Sequence, residues 1–320
     1  MNPDRAEVGI GWGSVSYLDW MPVTDEPLGT VVLLHGGGTD SAELSWSALG
    51  PALAAAGHRV IAPDHPGYGY SPPAPWSHTQ QRLVGYVAEF ADRLGLARFG
   101  VGGFSLGGGL ALGYLLSHPG RVTRAALLAS YGFSPRLPGS LAPLRQAVSW
   151  AAVRTVLPPL YMPLNHWLAA HPAALSRVLA PMVRDPARRT PELLAAVADE
   201  TRRHADARAF AQFQRSEVGF LGNRTDYTAE LGHLAISALI VQGTETPVFR
   251  WPRRARRQTR FPTHACSSSP VLATGCIEIG QSRWNRRWSR SSPNPIDDGC
   301  GAVTRRRLTS SLGMRLIAAV

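Results

Sequence analysis

The chain has 320 residues, with 33 Lys+Arg against 22 Asp+Glu, 44% hydrophobic residues and a formal net charge of +11. That apolar content supports a sizeable core and excludes a disordered chain, and the length suits one large domain or one domain with an elaborate insertion. No stretch approaches the ~18–20 uninterrupted apolar residues of a membrane span, and Met1-Asn2-Pro3-Asp4-Arg5 lacks the basic-then-apolar pattern of a leader peptide, so the expectation is a cytoplasmic protein with no membrane partner.

In chain order, residues 8–20 come first, with Val8, Ile10, Val15, Tyr17 and Trp20 spaced as an opening antiparallel hairpin of half-buried strands. Short apolar runs follow at Val31–Leu34, Val60–Ala62, Phe99–Gly102 and Ala125–Ala129, each reading as a buried strand. Between them, residues 41–56, 77–95 and 105–117 place apolar side chains at helical spacing. Strand and helix in alternation predict an α/β architecture, a mostly parallel, doubly wound sheet covered on both faces. From Ser134 to about Tyr227 the strand signal gives way to Pro-punctuated helical segments over 141–156, 164–183 and 191–215, and it returns at Ala238-Leu239-Ile240-Val241. The expected organisation is therefore a core of residues 1–133 and 228–249, a helical cap of residues 134–227 above the crevice where such sheets bind ligands, and a tail of residues 250–320.

The tail holds the whole charge. Residues 1–249 carry 19 Arg and 19 acids, whereas residues 250–320 carry 14 Arg against three acids, Glu278, Asp297 and Asp298, which leaves +11. The chain contains no lysine, as expected of a very G+C-rich gene. No sustained period of 2 or 3.6 appears after Pro247, so neither a further strand nor a covering helix is expected there.

Three segments carry chemistry. Gly103-Phe104-Ser105-Leu106-Gly107 follows a buried strand and opens a helix, the setting in which G-x-S-x-G projects a serine hydroxyl from a sharp turn at the top of a sheet. The flanking glycines are needed because side chains there clash with the turn, and the helix start directs free N–H groups at a developing oxyanion. His35-Gly36-Gly37-Gly38 follows the strand 31–34, where a second oxyanion donor is required, so Gly37 and Leu106 are the candidate donors. His35 itself is expected to be a structural, hydrogen-bonded histidine. Asp64-His65-Pro66-Gly67-Tyr68-Gly69-Tyr70-Ser71 reads as a fixed loop beside the crevice, with Asp64 and His65 ordering it.

These three segments, in this order and spacing, resemble the α/β-hydrolase superfamily over about residues 8–248. The resemblance implies Ser105 as nucleophile, Gly37 and Leu106 as oxyanion hole, an acid and a histidine after the last two strands, and a small-molecule acyl substrate, with no cofactor and no metal. A serine at the elbow argues against dehalogenase and epoxide-hydrolase chemistry and for acyl transfer to water. The position where the family places its acid is Thr246, beside Glu245, and the only histidine after His233 is His264, ahead of any final strand. Activity is therefore expected to be impaired, and the alternative is a catalytically inactive member. G+C-rich codons read out of frame yield Arg, Ser, Pro, Cys and Trp, so a frameshift near residue 250 accounts for the broken ending and the charge together.

The competing reading makes the tail an anion- or nucleic-acid-binding module through Arg alternating with Trp, but it carries no nucleic-acid motif. Cys266, Cys276 and Cys300 lack the paired spacing of zinc ligands. In the cap, Trp150, Met162, Trp167 and Phe210 are candidates to line an acyl pocket or to pack the cap on the core. His166, His171, Arg202, Arg203 and His204 are expected to be solvated.

Overall fold

The computed structural model describes residues 2–133, 142–230, 236–243, 267–269 and 272–279. The chain opens with a hairpin of β1 (Asp4–Ile10) and β2 (Gly13–Trp20), paired from Asp4↔Asp19 to Ile10↔Gly13. Only β1 is half exposed. β2 is largely buried because it lies between β1 and β4 (His58–Pro63), which corrects the expectation of two half-buried strands. β3 (Gly29–Leu34), β4, β5 (Phe99–Phe104), β6 (Val122–Leu128) and β7 (Ser237–Gly243) are parallel, in the order β1-β2-β4-β3-β5-β6-β7.

The central strands bury both faces. Val32 and Leu34 enter a core with Leu83, Val87 and Phe90 of α3 (Gln80–Arg93) and Leu110 and Tyr114 of α4 (Leu106–Ser117). Their neighbours Val31 and Leu33 enter the opposite core, with Trp46 of α1 (Ala42–Trp46) and Leu53 of α2 (Leu49–Ala55). That is the period-two alternation of a strand with no solvent face. The single helix expected over 41–56 is two, each beginning afresh. Ser41 starts α1 by accepting a hydrogen bond from the Leu44 amide.

Between β6 and β7 lies a helical insertion. α5 (Ala142–Ala151) passes through one π-helical turn at 152–156 into α6 (Leu157–Ala170), so the predicted break near 156 is absent and the break falls at His171. Pro158 and Pro159 stand at the start of α6, directly after the π turn. α7 (Pro172–Leu179), α8 (Pro191–Arg203) and α9 (Arg208–Glu217) follow, the last after Ala207 at φ 46°. Leu168, Leu175 and Val197 form a small core of their own joining α6, α7 and α8.

The expectation of no strand after Pro247 is corrected. β8 (Ser267–Ser269) and β9 (Leu272–Ile279) extend the sheet antiparallel beyond β7, with Val241 opposite Cys276. The β-branched pair in Cys276-Ile277-Glu278-Ile279 suits a strand, a signal obscured by the arginine-rich sequence on both sides.

Candidate active site

The topology brings the sequence signals together. β3 sits between β4 and β5; the connection from β3 runs through α1 and α2 to β4, and the next crosses back through α3 to β5. The winding reverses at β3 and β5, and the crevice opens outside their carboxyl ends. Leu34 pairs with Gly103, so the loop starting at His35 and the turn carrying Ser105 leave the sheet side by side.

Ser105 has φ 51° and ψ −111°, left-handed backbone that costs a non-glycine residue about 1–3 kcal/mol. Its amide donates to the Leu128 carbonyl at 2.9 Å, and its carbonyl accepts from the Tyr131 amide at 2.9 Å, so the end of β6 clamps it. It stands immediately before α4 and its hydroxyl makes no capping bond. The turn tolerates no side chains around it: a Cβ on Gly103 would lie 2.2 Å from the Gly107 oxygen, and one on Gly108 2.0 Å from Ser130 Oγ.

The loop after β3 is held by buried polar groups. Asp40 accepts from the Gly36 amide at 2.7 Å, the Ser41 amide at 2.8 Å and the Ser45 hydroxyl at 2.8 and 2.9 Å. Burial pushes its carboxyl up to about 6, against the pull of those donors. His35 donates from Nδ1 to the Gly36 carbonyl at 2.8 Å and accepts the His65 amide at Nε2 at 2.9 Å. Both ring nitrogens are thereby used, and complete burial lowers its pKa to about 3. Gly37 faces the insertion: a Cβ there would meet the Phe210 ring at 2.8 Å and Leu106 Cδ2 at 3.4 Å. Gly37 and Leu106 therefore approach each other beneath Phe210 of α9.

Asp64 and His65 order their loop, as expected. Asp64 accepts from the amides of Ala42 and Tyr70 and pairs with Arg5 at 2.8 Å. His65 donates from Nε2 to the His35 carbonyl and takes the Tyr86 hydroxyl at Nδ1, and burial holds its pKa well below the usual value.

Of the four insertion candidates, only Phe210 is shown against the crevice loop. Met162 and Trp167 are half exposed on the outside, and Trp150 packs edge-on against Phe220 beneath Arg154. Of the five polar residues expected to be solvated, His166, His171, Arg202 and Arg203 are exposed and His204 is partly buried, and the last three of the chain also have protein partners. Arg202 donates to the Ala169 carbonyl, Arg203 pairs with buried Glu200 and lies over the Tyr70 ring, and His204 Nε2 donates to the Gly69 carbonyl at 3.0 Å. Glu200 also accepts the Gly69 amide at 3.0 Å, so α8 is tied to the loop after β4. Asp40 and Glu200 were not singled out in the sequence; for Asp40 the available signal was Asp-Ser directly before a helical run.

Thr246, Glu245, His264, Cys266 and Cys300 lie outside the described residues. Among the described residues, no group of three or more His, Cys, Asp or Glu is placed to hold a metal ion.

A parallel sheet with its winding reversal at a strained serine turn defines an α/β-hydrolase. The chain belongs to the alpha/beta hydrolase fold family, whose model matches residues 29–267. It is 40% identical over 104 residues to 2-hydroxymuconate semialdehyde hydrolase of Pseudomonas putida, covering 32% of this chain and 37% of that protein. The chain thus spans well under half the length of that relative. It is 28% identical over 222 residues to 2-hydroxy-6-oxononadienedioate/2-hydroxy-6-oxononatrienedioate hydrolase of Cupriavidus pinatubonensis, covering 68% of this chain and 70% of the other. The fold matches the meta-cleavage product hydrolase of Pseudomonas fluorescens with a TM-score of 0.59 at 21% identity, over 78% of this chain and 82% of that one.

Proposed function

We propose that this chain is a serine hydrolase acting on an ester or related acyl bond, with the helical insertion as a lid over the crevice. The observation that carries the reading is the backbone of Ser105, a strained non-glycine residue at the start of α4 whose hydroxyl makes no capping bond. Strain of this kind persists only where surrounding structure enforces it. Ser105 Oγ attacks the acyl carbon as its proton passes to a base. The amides of Leu106 and Gly37 hold the oxyanion, and the leaving group departs from a tetrahedral intermediate. Water then adds to the acyl-enzyme and releases the acid and Ser105.

Relatives named as hydrolases of 2-hydroxymuconate semialdehyde and of 2-hydroxy-6-oxo dienedioates support oxo-acids as a second substrate set beside simple esters. Thr246 at the position of the family's acid favours slow turnover, because loss of that acid costs about ten-thousandfold in kcat. The test is release of p-nitrophenol from p-nitrophenyl acetate by the full chain and by Ser105→Ala. Slow release that disappears in Ser105→Ala supports the proposal. Equal rates in both establish the alternative, a member of the fold without catalysis.

A further inference from the structure

The outer face of α6 breaks the rule that a surface helix turns polar side chains to water. Its exposed positions are Pro159, Leu160, Met162, Pro163, Leu164, His166, Trp167 and Ala170, which form one broad face without a formal charge at neutral pH. Leu160, Met162, Leu164 and Trp167 are each 48–51% exposed, and Leu144, Val148 and Val156 precede them on the same continuous helical run at 54–62%. The inner face is the anchored one. Tyr161 donates to Gln214, Asn165 Nδ2 donates to the Ala205 carbonyl, and Leu168 is buried.

The segment that carries this face has charge of one sign. Residues 142–184 contain no aspartate or glutamate, whereas Arg145, Arg154, Arg177 and Arg184 are distributed along them. Arg154 spends its donors on the carbonyls of Trp150, Arg215 and Val218 and not on a carboxylate. Apolar Leu, Met and Trp side chains on a basic segment match the acyl and headgroup layers of an anionic bilayer. The same charge disfavours the other occupants. A second copy would set arginine against arginine, and residues 250–320, with 14 Arg and three acids, are repelled likewise.

We infer that the outer face of α6 docks this protein on an anionic lipid surface, lying in the plane of the headgroups. Docking of this kind needs no spanning segment, and among the described residues no helix is long and apolar enough to cross a membrane. The sequence-based expectation of no membrane partner rested on the lack of a spanning run and of a leader pattern, neither of which bears on surface docking. The inference stands apart from the chemistry proposed for Ser105, because it reads a surface and not a reaction.

The test is co-sedimentation of the full chain with vesicles of phosphatidylcholine and of equimolar phosphatidylcholine and phosphatidylglycerol. The wild type is expected to partition onto the anionic vesicles, and the double variant Leu160→Asp, Leu164→Asp to lose at least about tenfold of that partitioning. Trp167→Glu provides an independent lesion on the same face, and Leu28→Asp, on the core at 70% exposure, is expected to leave binding unchanged. Thermal midpoints of all variants are expected to stay near the wild type. The inference is overturned if the wild type ignores anionic vesicles, or if the double variant binds them equally, which assigns binding to the arginine-rich tail. It is also overturned if the double variant dissociates a wild-type dimer, or if its midpoint falls sharply, since either shows the face to be covered by protein.

Discussion

Gly107 lies against the backbone of Leu34: a Cβ built on Gly107 would sit 2.1 Å from the Leu34 oxygen and 2.4 Å from that of His35. This contact locks the first turn of α4 to the end of β3, and with it the turn at Ser105 to the loop at Gly37. Neither backbone has room to yield. Gly107→Ala is therefore expected to cost about 3 kcal/mol, read as a lower urea midpoint. Gly85→Ala, in α3 with nothing within 4 Å, is the control and is expected to gain up to about 1 kcal/mol.

His35 should remain neutral across the physiological range. Burial holds its folded pKa at about 3, below the ordinary 6.5, so the unfolded chain takes up a proton first as pH falls. Its contribution to stability is complete above pH 6.5 and is lost progressively as pH falls toward 3. Nitrogen NMR of the imidazole checks this. A protonation step near 6.5 at His35 would falsify it.

Asp40 works in the opposite direction. Its folded carboxyl is raised to about 6 from 3.8, so folding favours the protonated form, and stability is lost as pH rises through that window. The difference in unfolding free energy between wild type and Asp40→Asn should fall by on the order of 3 kcal/mol over that interval and stay flat above it. A flat difference throughout shows that the three donors on Asp40 offset burial completely.

The tie between α8 and the loop after β4 depends on Glu200. Glu200→Ala leaves the Gly69 amide without its acceptor and Arg203 without its carboxylate, and is expected to cost about 1–3 kcal/mol. Hydrogen exchange at the Gly69 amide should accelerate with it. Unchanged exchange there would show that His204 and Arg203 hold the loop without Glu200.

Much of the core and the turn at Ser105 was legible because each depends on neighbours in sequence. The strand runs at Val31–Leu34 and Val60–Ala62 are continuous in apolar residues because both faces are covered, and the glycines at 103 and 107 mark a turn too tight for side chains. The division of helices in the insertion was not legible. The π turn at 152–156 carries the chain past Pro158 and Pro159, where proline rules predict a stop. β9 was missed because its short β-branched pattern stands between arginine-rich stretches, and pairing with β7 supplies the hydrogen bonds that the isolated pattern cannot.

The sequence by itself determined the alternation of strand and helix, the placement of Ser105 after a buried strand, and the concentration of charge beyond residue 250. These follow from periodicity, local turn sterics and counting. Only the tertiary structure decided that Gly37 and Leu106 meet beneath Phe210, that Arg203 and His204 bind a loop more than a hundred residues earlier, and that the apolar side chains of α6 face outward. Apolar residues lie all around α6, so periodicity gives no direction to its faces. Direction comes from which neighbours, distant in sequence, fold against it.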